Sequence, residues 1–208
     1  DQSLNMPFLT ILRRPRTLAW FRYGVRSLSQ WSQLVSVKPQ GQLEISLVDD
    51  SKTAVPTFVD LETENQKCDT VSLNIESLDG VYISPEVVRL ESNGQGGARL
   101  VTLPGFSPGP NGVKITGVIP EKFGVSAVTG GSSFKLPRLE GSLSVRTGGG
   151  AVMVDKLNEG PYEIHSHGGD VDCRVLNGNG TIRTGGGALN SKRVTGINLN
   201  ADTAGGAV

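Results

Sequence analysis

The sequence has few aromatic residues, few cysteines and no long apolar run, and each shortage argues against a class of protein. Phe, Trp and Tyr make up 5% of the 208 residues, whereas glycine accounts for 28. This composition favours thin, layered β-structure over a thick globular core. No run of 18 apolar residues exists, so no transmembrane helix is predicted. The two cysteines, Cys68 and Cys173, are too few for a disulfide framework, which fits a reducing compartment.

Acidic residues are absent between residues 2 and 43, where six basic residues lie: Arg13, Arg14, Arg16, Arg22, Arg26 and Lys38. A basic, acid-free segment with serines and interleaved large apolar residues is typical of an organellar transit peptide. Residues 1–33 are therefore predicted to be a transit-peptide-like segment, with a mitochondrial presequence beginning at Met6. A basic arm for nucleic acid or an anionic membrane is the alternative. Arginines interrupt the apolar run, which argues against a secretory signal.

A repeat of 18 or 19 residues occupies residues 124–208. Each of its five copies contains a Gly-Gly pair followed by an apolar residue, and these are spaced 18, 19, 18 and 19 residues apart: Phe134, Val152, Val171, Leu189 and Val208. A second apolar residue follows five positions later in each complete copy: Leu139, Leu157, Leu176 and Val194. Self-similarity at a fixed period indicates a repeat array.

Within one copy, mainly apolar residues alternate with polar residues, so the pattern has a period of two. Leu143, Val145 and Thr147 form one face, with serine and arginine residues between them, which predicts half-buried strands rather than helices. The Gly-Gly pair supplies the positive φ angles of a tight corner. Stacked copies can bury the apolar face that a single copy cannot. The predicted fold is all-β: a single-stranded β-solenoid, or β-helix, of about 18–19 residues per coil, with an irregular N-terminal β region.

The chain before the regular repeat keeps strand alternation but loses the fixed period. Strand candidates are residues 42–48, 70–75, 86–92, 98–103 and 112–119. Residues 34–111 are predicted to form irregular β coils or a cap, and residues 112–208 the regular Gly-Gly repeats. The fifth copy stops at Val208, just after its Gly-Gly pair. The array is therefore predicted to be incomplete at this end, with further coils, a cap or a partner subunit covering the edge.

One group of neighbouring residues combines metal-ligating types: His165, His167, Asp170, Asp172 and Cys173. Alternation points the histidines and aspartates outward along diverging strands. It points Cys173 inward, in one column with Val154 and Leu136. The sequence therefore predicts a buried thiol and no metal site.

A second group is a predicted outward column with one residue from each of four successive copies: Arg146, His165, Arg183 and Asp202. Neighbours in such a column lie about 4.8 Å apart. The column can hold an anionic ligand or partner. The alternative is an exposed ladder with partial charge pairing.

No catalytic and no cofactor-binding residues are predicted. A carbohydrate-cleaving β-helix needs paired carboxylates in a groove, and no two acids of the array repeat in one outward column in neighbouring copies. The glycines form neither a dinucleotide-binding fingerprint nor a phosphate-binding loop. The acceptor pattern at Asn179 and Thr181 matters for N-glycosylation only in a secreted protein.

The run GSLSVRTGGGAVMVDKLNEGPYEIHSHGGDVDCRVLNGNGTIRTGGGALN resembles the putative-adhesin family, a domain of unknown function. The resemblance rests on alternating strands around T-G-G-G and G-G-D-V units and covers residues 86–208. It implies a β-solenoid and brings no catalytic residues. Eukaryotic members in which this domain makes up most of the chain fit a mitochondrial presequence, so a member of that type is expected.

These features favour a non-catalytic structural or protein-interaction β-solenoid, such as an accessory subunit of a larger mitochondrial assembly. Protein partners are expected, and nucleic acid is not. Two alternatives stay open. A surface adhesin or glycan-binding module would be favoured by a secretory signal, and a β-helical carbohydrate-active enzyme by a groove with two facing carboxylates.

Overall fold

The computed structural model describes residues 30–49, 51–64, 69–196 and 198–208. Within these ranges the chain forms 16 β-strands and no helix, which confirms the predicted all-β class. Residues 1–29, which carry most of the transit-peptide-like segment, lie outside the described residues, and so does Cys68.

The strands have these bounds in chain order: β1 (Gln30–Ser36), β2 (Gln42–Ser46), β3 (Thr57–Glu64), β4 (Thr70–Ser77), β5 (Val88–Ser92), β6 (Ala98–Thr102), β7 (Val113–Pro120), β8 (Gly124–Val128), β9 (Phe134–Glu140), β10 (Leu143–Arg146), β11 (Val152–Asn158), β12 (Tyr162–His165), β13 (Val171–Leu176), β14 (Gly180–Arg183), β15 (Leu189–Val194) and β16 (Leu199–Asp202). They belong to two eight-stranded sheets. The first sheet has the order β1-β4-β7-β3-β9-β11-β13-β15, and the second has the order β16-β14-β12-β10-β8-β2-β6-β5.

From β8 onward, consecutive strands alternate between the two sheets, and every pairing among them is parallel. The alignment predicted from the repeat is confirmed for four residues. Val152 pairs with Phe134 and with Val171, and Val171 pairs with Leu189. The chain therefore returns to the same sheet, in the same register, once in every copy of the repeat.

The earlier strands join the same two sheets with mixed directions. β2 pairs in parallel with β8, and β3 with β9. In contrast, β4 is antiparallel to both β1 and β7, and β5 is antiparallel to β6. Antiparallel neighbours can be joined by short connections, which a repeating parallel array does not use. This difference accounts for the loss of the fixed period before residue 124.

The core lies between the two sheets and is continuous from the early strands into the repeat. Its largest fully buried side chains include Phe106, Phe123 and Phe134. In the repeat, alternation buries Val152 and Val154 on one sheet and Val145 on the other. Burying each such side chain contributes about 1.5–3 kcal/mol, so stability comes from many similar layers.

In the glycine pairs 149–150, 168–169 and 186–187, the two glycines serve different structural purposes. Gly149 and Gly186 have φ angles of 120° and 115°, which a β-branched residue adopts only with strain. The glycine that follows each of them does not have a positive φ. At Gly169, an added Cβ would lie 2.2 Å from the carbonyl oxygen of Gly150 in the preceding copy. The prediction that both glycines serve the turn is thus correct for the first, whereas the second permits close stacking of the copies.

Buried hydroxyl groups line the inner side of these corners. Thr129, Thr147, Ser166 and Thr184 are fully buried. Each hydroxyl donates to the carbonyl oxygen three residues later, in Ser132, Gly150, Gly169 and Gly187 respectively. Each also lies within hydrogen-bonding distance of a carbonyl in the following copy. These polar groups hold the corners in a fixed geometry and connect one copy to the next.

Candidate functional site

The predicted outward column is present on the second sheet. Arg146 pairs with His165, His165 with Arg183, and Arg183 with Asp202, in strands β10, β12, β14 and β16. In the first three of these strands, the residue just before the charged one is buried, for example Ile164 before His165. The charged residues therefore face away from the core. We call Arg146, His165, Arg183 and Asp202 the charged row.

Glu163, in the outward column beside the charged row, connects two of its members. Its Oε1 atom lies 3.4 Å from Nη2 of Arg146 and 3.0 Å from Nε2 of His165. The Asp202 side chain bonds to the backbone just after its own strand: its Oδ1 accepts a hydrogen bond from the N–H of Ala204 at 3.1 Å. Arg183 has no ion-pair partner within the described ranges. Among these residues, the Arg183 guanidinium is therefore available to bind a ligand.

His167 stands at the corner that follows the row, in a backbone conformation that favours glycine. Its φ is 53°, and the residues at the same position of the neighbouring copies are Gly148 and Gly185, each with φ of 64°. The imidazole centroids of His167 and His165 are 6.0 Å apart, with the rings inclined at 42°. The corner thus carries a large polar side chain where the copies on either side have none.

The histidines and Arg183 surround a small cavity of about 270 Å³, lined by His165, His167, Arg183, Gly185, Asp202 and Ala204. The sequence predicted the charged row but not this cavity, because His167 was assigned only to an outward strand face. The cavity offers hydrogen-bond donors from imidazole and guanidinium groups, and Asp202 adds a carboxylate to its lining. It is suited to a small polar or anionic group.

A larger, open cavity of about 630 Å³ lies along the starts of the same strands, lined by Pro161, Tyr162, Glu163, Asn179, Gly180, Thr181, Asn198, Leu199 and Asn200. Glu163 therefore contributes to both regions. Asn179 is exposed, and its Oδ1 accepts a hydrogen bond from the backbone N–H of Asn198 at 3.1 Å. This second cavity is not predictable from the sequence pattern. Its side chains come from three copies of the repeat, which the strand register places side by side.

Tyr162 forms the buried wall of that cavity. A Cβ on Gly180 would lie 2.2 Å from Cδ2 of Tyr162, so the absence of a side chain at 180 leaves room for the ring. The hydroxyl group of Tyr162 is buried and has no hydrogen-bond partner among the described residues. Burial raises the pKa of Tyr162, and the nearby Cys173 raises it further. The phenol is therefore kept neutral.

The metal-ligating residue types do not meet at one point. The histidines belong to β12 and its corner on the second sheet, whereas Asp172 and Cys173 lie on β13 of the first sheet. In the part of the chain that the structure describes, no group of three or more His, Cys, Asp or Glu residues is placed to hold a metal ion. Asp170 instead accepts a hydrogen bond from the backbone N–H of Ala188 at 2.8 Å.

Cys173 is buried in the predicted column, because its partner on β11 is Val154, which in turn pairs with Leu136 on β9. Burial raises the pKa of its thiol to about 12, and the charge of Asp172 adds to this effect. A protonated, inaccessible thiol is a poor nucleophile. Cys173 therefore belongs to the core.

Several acids of the repeat contact basic residues. Asp155 lies 3.3 Å from Arg174, and Glu140 lies 3.0 Å from Arg138. Arg138 also contacts the buried Glu121.

Within the described residues, no helix has the length and apolar character needed to cross a membrane.

No protein-family model matches the chain, and no curated protein matches it. Among solved structures, the chain is similar to a putative cell adhesion protein from Clostridium sporogenes, at 13% identity and a TM-score of 0.36, over 86% of this chain and 97% of the other. It is also similar to putative adhesins from Parabacteroides distasonis (12% identity, TM-score 0.33) and Bacteroides fragilis (12% identity, TM-score 0.29), each over 84% of this chain and 97% of the other. Likeness at these values carries neither fold nor function over to this chain.

Proposed function

We propose that this protein is a non-catalytic binding module, a β-solenoid that contacts a partner through the outer face of its second sheet. The observation that carries the proposal is the fixed alignment of Arg146, His165, Arg183 and Asp202 in four adjacent parallel strands. A repeat array presents an extended surface whose side chains keep a constant spacing. Charged side chains in a fixed row favour a partner of complementary charge pattern.

The rigidity of the scaffold supports this role. The corners are fixed by buried hydroxyl groups, such as that of Thr184, which donates to the carbonyl oxygen of Gly187 at 2.5 Å. Between the corners, parallel hydrogen bonding fixes β14 to its neighbours β12 and β16. A surface that is already ordered loses little conformational entropy on binding.

Site-specific photo-crosslinking in cells that express the full chain tests the proposal. A photoreactive amino acid replaces Ser144 or Thr181 on the outer face of the second sheet, or Met153 on the outer face of the first. We expect crosslinked partner adducts from positions 144 and 181 and none from 153. Loss of the adducts when Arg183→Glu is added would support the role of the charged row. Adducts from position 153 alone, or from no position, would contradict the proposal.

A glycan-binding role is a second candidate because of the larger cavity. Its exposed rim consists of amide and carboxylate side chains, including Asn179, Asn200 and Glu163. Such groups can pair with the vicinal hydroxyl groups of sugars, since they combine donors and acceptors. A glycan-array screen of the full chain tests this function. Binding that is lost in Asn200→Ala and kept in Asn190→Ala, on the first sheet, would support it.

Mitochondrial localisation and membership of a larger mitochondrial assembly stay proposals that rest on the sequence of residues 1–33. N-terminal sequencing of the native protein tests them. We expect a mature chain that lacks about the first 25–35 residues, as imported proteins do. A native chain that starts at Met6 and is found outside mitochondria would contradict them.

A further inference from the structure

We propose that Arg183, His165 and His167 form a binding site for a small oxyanion group: a carboxylate, sulfate or phosphate. The inference rests on the proposed function, because it names the chemical group that the outer face of the second sheet recognises. Three observations carry it: an arginine without an ion-pair partner, a histidine held in an unfavourable backbone conformation, and a cavity between them.

The first observation concerns the charges of the row. Glu163 contacts both Arg146 and His165, at 3.4 Å and 3.0 Å. Asp202, the register neighbour of Arg183, accepts instead from the backbone of Ala204. Among the described residues, the Arg183 guanidinium therefore has no ion-pair partner. Its planar set of N–H donors matches an oxyanion. Glu163 also orients the His165 ring at the edge of the same cavity.

The second observation is the backbone of His167. A positive φ in a residue other than glycine is uncommon and costs free energy. Glycine occupies this position in the copies before and after, at Gly148 and Gly185, so the fold itself does not need a side chain here. Ala204, at the same position of the last copy, has φ of 49°, so a side chain is tolerated here, and at position 167 that side chain adds an imidazole to the corner. The centroids of the His167 and His165 rings are 6.0 Å apart, and both residues line the cavity.

The third observation is the space available. The cavity measures about 270 Å³, and Gly185 and Ala204 complete its wall with no long side chain. This volume accommodates one small group and not an extended ligand. Asp202 also lines the cavity, so the favoured ligand carries a hydroxyl or another donor next to its anionic group. Because Asp202 and Glu163 offset the two arginines, binding depends on directed hydrogen bonds rather than on net charge, and we expect weak affinity.

Nuclear magnetic resonance of the isotopically labelled full chain tests the site with three probes: inorganic phosphate, inorganic sulfate and glucuronate. Each is added at constant ionic strength, and the side-chain N–H signals of Arg183, His165 and His167 are followed. We expect a saturable shift of these signals with at least one probe. The probe that binds most tightly identifies the source of the oxyanion.

Three variants complete the experiment. Arg183→Gln is expected to weaken binding about tenfold or more, since it removes a charge-assisted hydrogen bond. His167→Gly, which leaves the residue found in the adjacent copies, is expected to weaken binding about threefold while the fold is kept. Arg174→Gln is the control, because it removes an exposed arginine from the first sheet, and we expect unchanged affinity.

No saturable shift with any probe, or equal affinities for the wild type and Arg183→Gln, would overturn the inference. The result is separable from the proposed function. If crosslinking from position 181 succeeds and no probe binds, the oxyanion site alone is wrong. If a probe binds and no partner crosslinks, the partner-binding role is wrong and the small-anion site stands.

Discussion

The side-chain hydroxyl group of Thr147 lies 3.1 Å from the backbone carbonyl oxygen of Ser166, its equivalent in the next copy of the repeat. The same hydroxyl lies 2.5 Å from the carbonyl oxygen of Gly150 in its own corner. Thr147 is fully buried, and a buried carbonyl that loses its donor costs free energy. The corner therefore depends on a polar side chain within an otherwise apolar layer.

Replacing this hydroxyl tests its contribution. Thr147→Val keeps the shape of the side chain and removes the donor, and we expect a loss of about 1–3 kcal/mol in the free energy of unfolding. Denaturant unfolding measures the change. Thr181→Val, on the outer face of the second sheet, is the control and is expected to change stability by less than about 0.5 kcal/mol. Equal losses in the two variants would show that the inner hydroxyl column does not stabilise the corners.

Close stacking of the backbone makes a second prediction. An alanine at 169 would place its Cβ 2.2 Å from the carbonyl oxygen of Gly150, so one copy must shift relative to the next. We expect Gly169→Ala to destabilise the protein by about 1–3 kcal/mol, as overpacking does. Thermal unfolding, compared with that of Asp172→Ala on the exposed face of β13, measures it. A melting temperature equal to that of the control would contradict the assigned contact.

The buried thiol predicts a dependence of stability on alkaline pH. Burial raises the pKa of Cys173 from its ordinary value of 9.0 to about 12, so the thiolate forms first in the unfolded chain. The contribution of the thiol to stability is therefore complete below pH 9 and is lost as the pH rises towards 12. Relative to Cys173→Val, the wild type is expected to lose about 1.4 kcal/mol per pH unit in this range.

Denaturant unfolding of the two proteins between pH 7 and the alkaline range measures this difference, with the value at pH 7 as the internal reference. A difference in stability that does not change with pH would contradict the burial of the thiol. Cys173 in the native protein is also expected to resist alkylation at mildly alkaline pH, since the thiolate is the reactive form.

The conformation of His167 predicts a stabilising substitution. His167 has φ of 53°, and glycine relieves the strain of this region, although it adds entropy to the unfolded chain. We expect His167→Gly to raise the free energy of unfolding by about 0.5–1 kcal/mol. Asp172→Gly, in the exposed face of a strand, is the matched control and is expected to lower it by a similar amount. A loss of stability in His167→Gly would mean that the imidazole contributes to folding.

The N-terminal half shows which strands the sequence could predict. The candidates at 42–48, 70–75, 86–92, 98–103 and 112–119 overlap β2, β4, β5, β6 and β7. β1 and β3 were missed, although Val59 and Leu61 of β3 alternate with exposed or partly exposed residues. This alternation would have identified β3. Nothing local indicates that β3 lies between β7 and β9, because that position depends on residues more than fifty places away along the chain.

Three features follow from the sequence pattern: the strand alternation, the register of the repeat and the composition of the charged row. A period of two fixes which face each side chain takes, and a period of 18 or 19 residues fixes which residues become neighbours. Tertiary structure alone decided that Glu163 contacts both Arg146 and His165, and that a cavity opens beside His167. The spacing of a repeat specifies Cα partners, whereas side-chain contacts and cavities depend on rotamers and backbone angles that every neighbouring copy constrains at once.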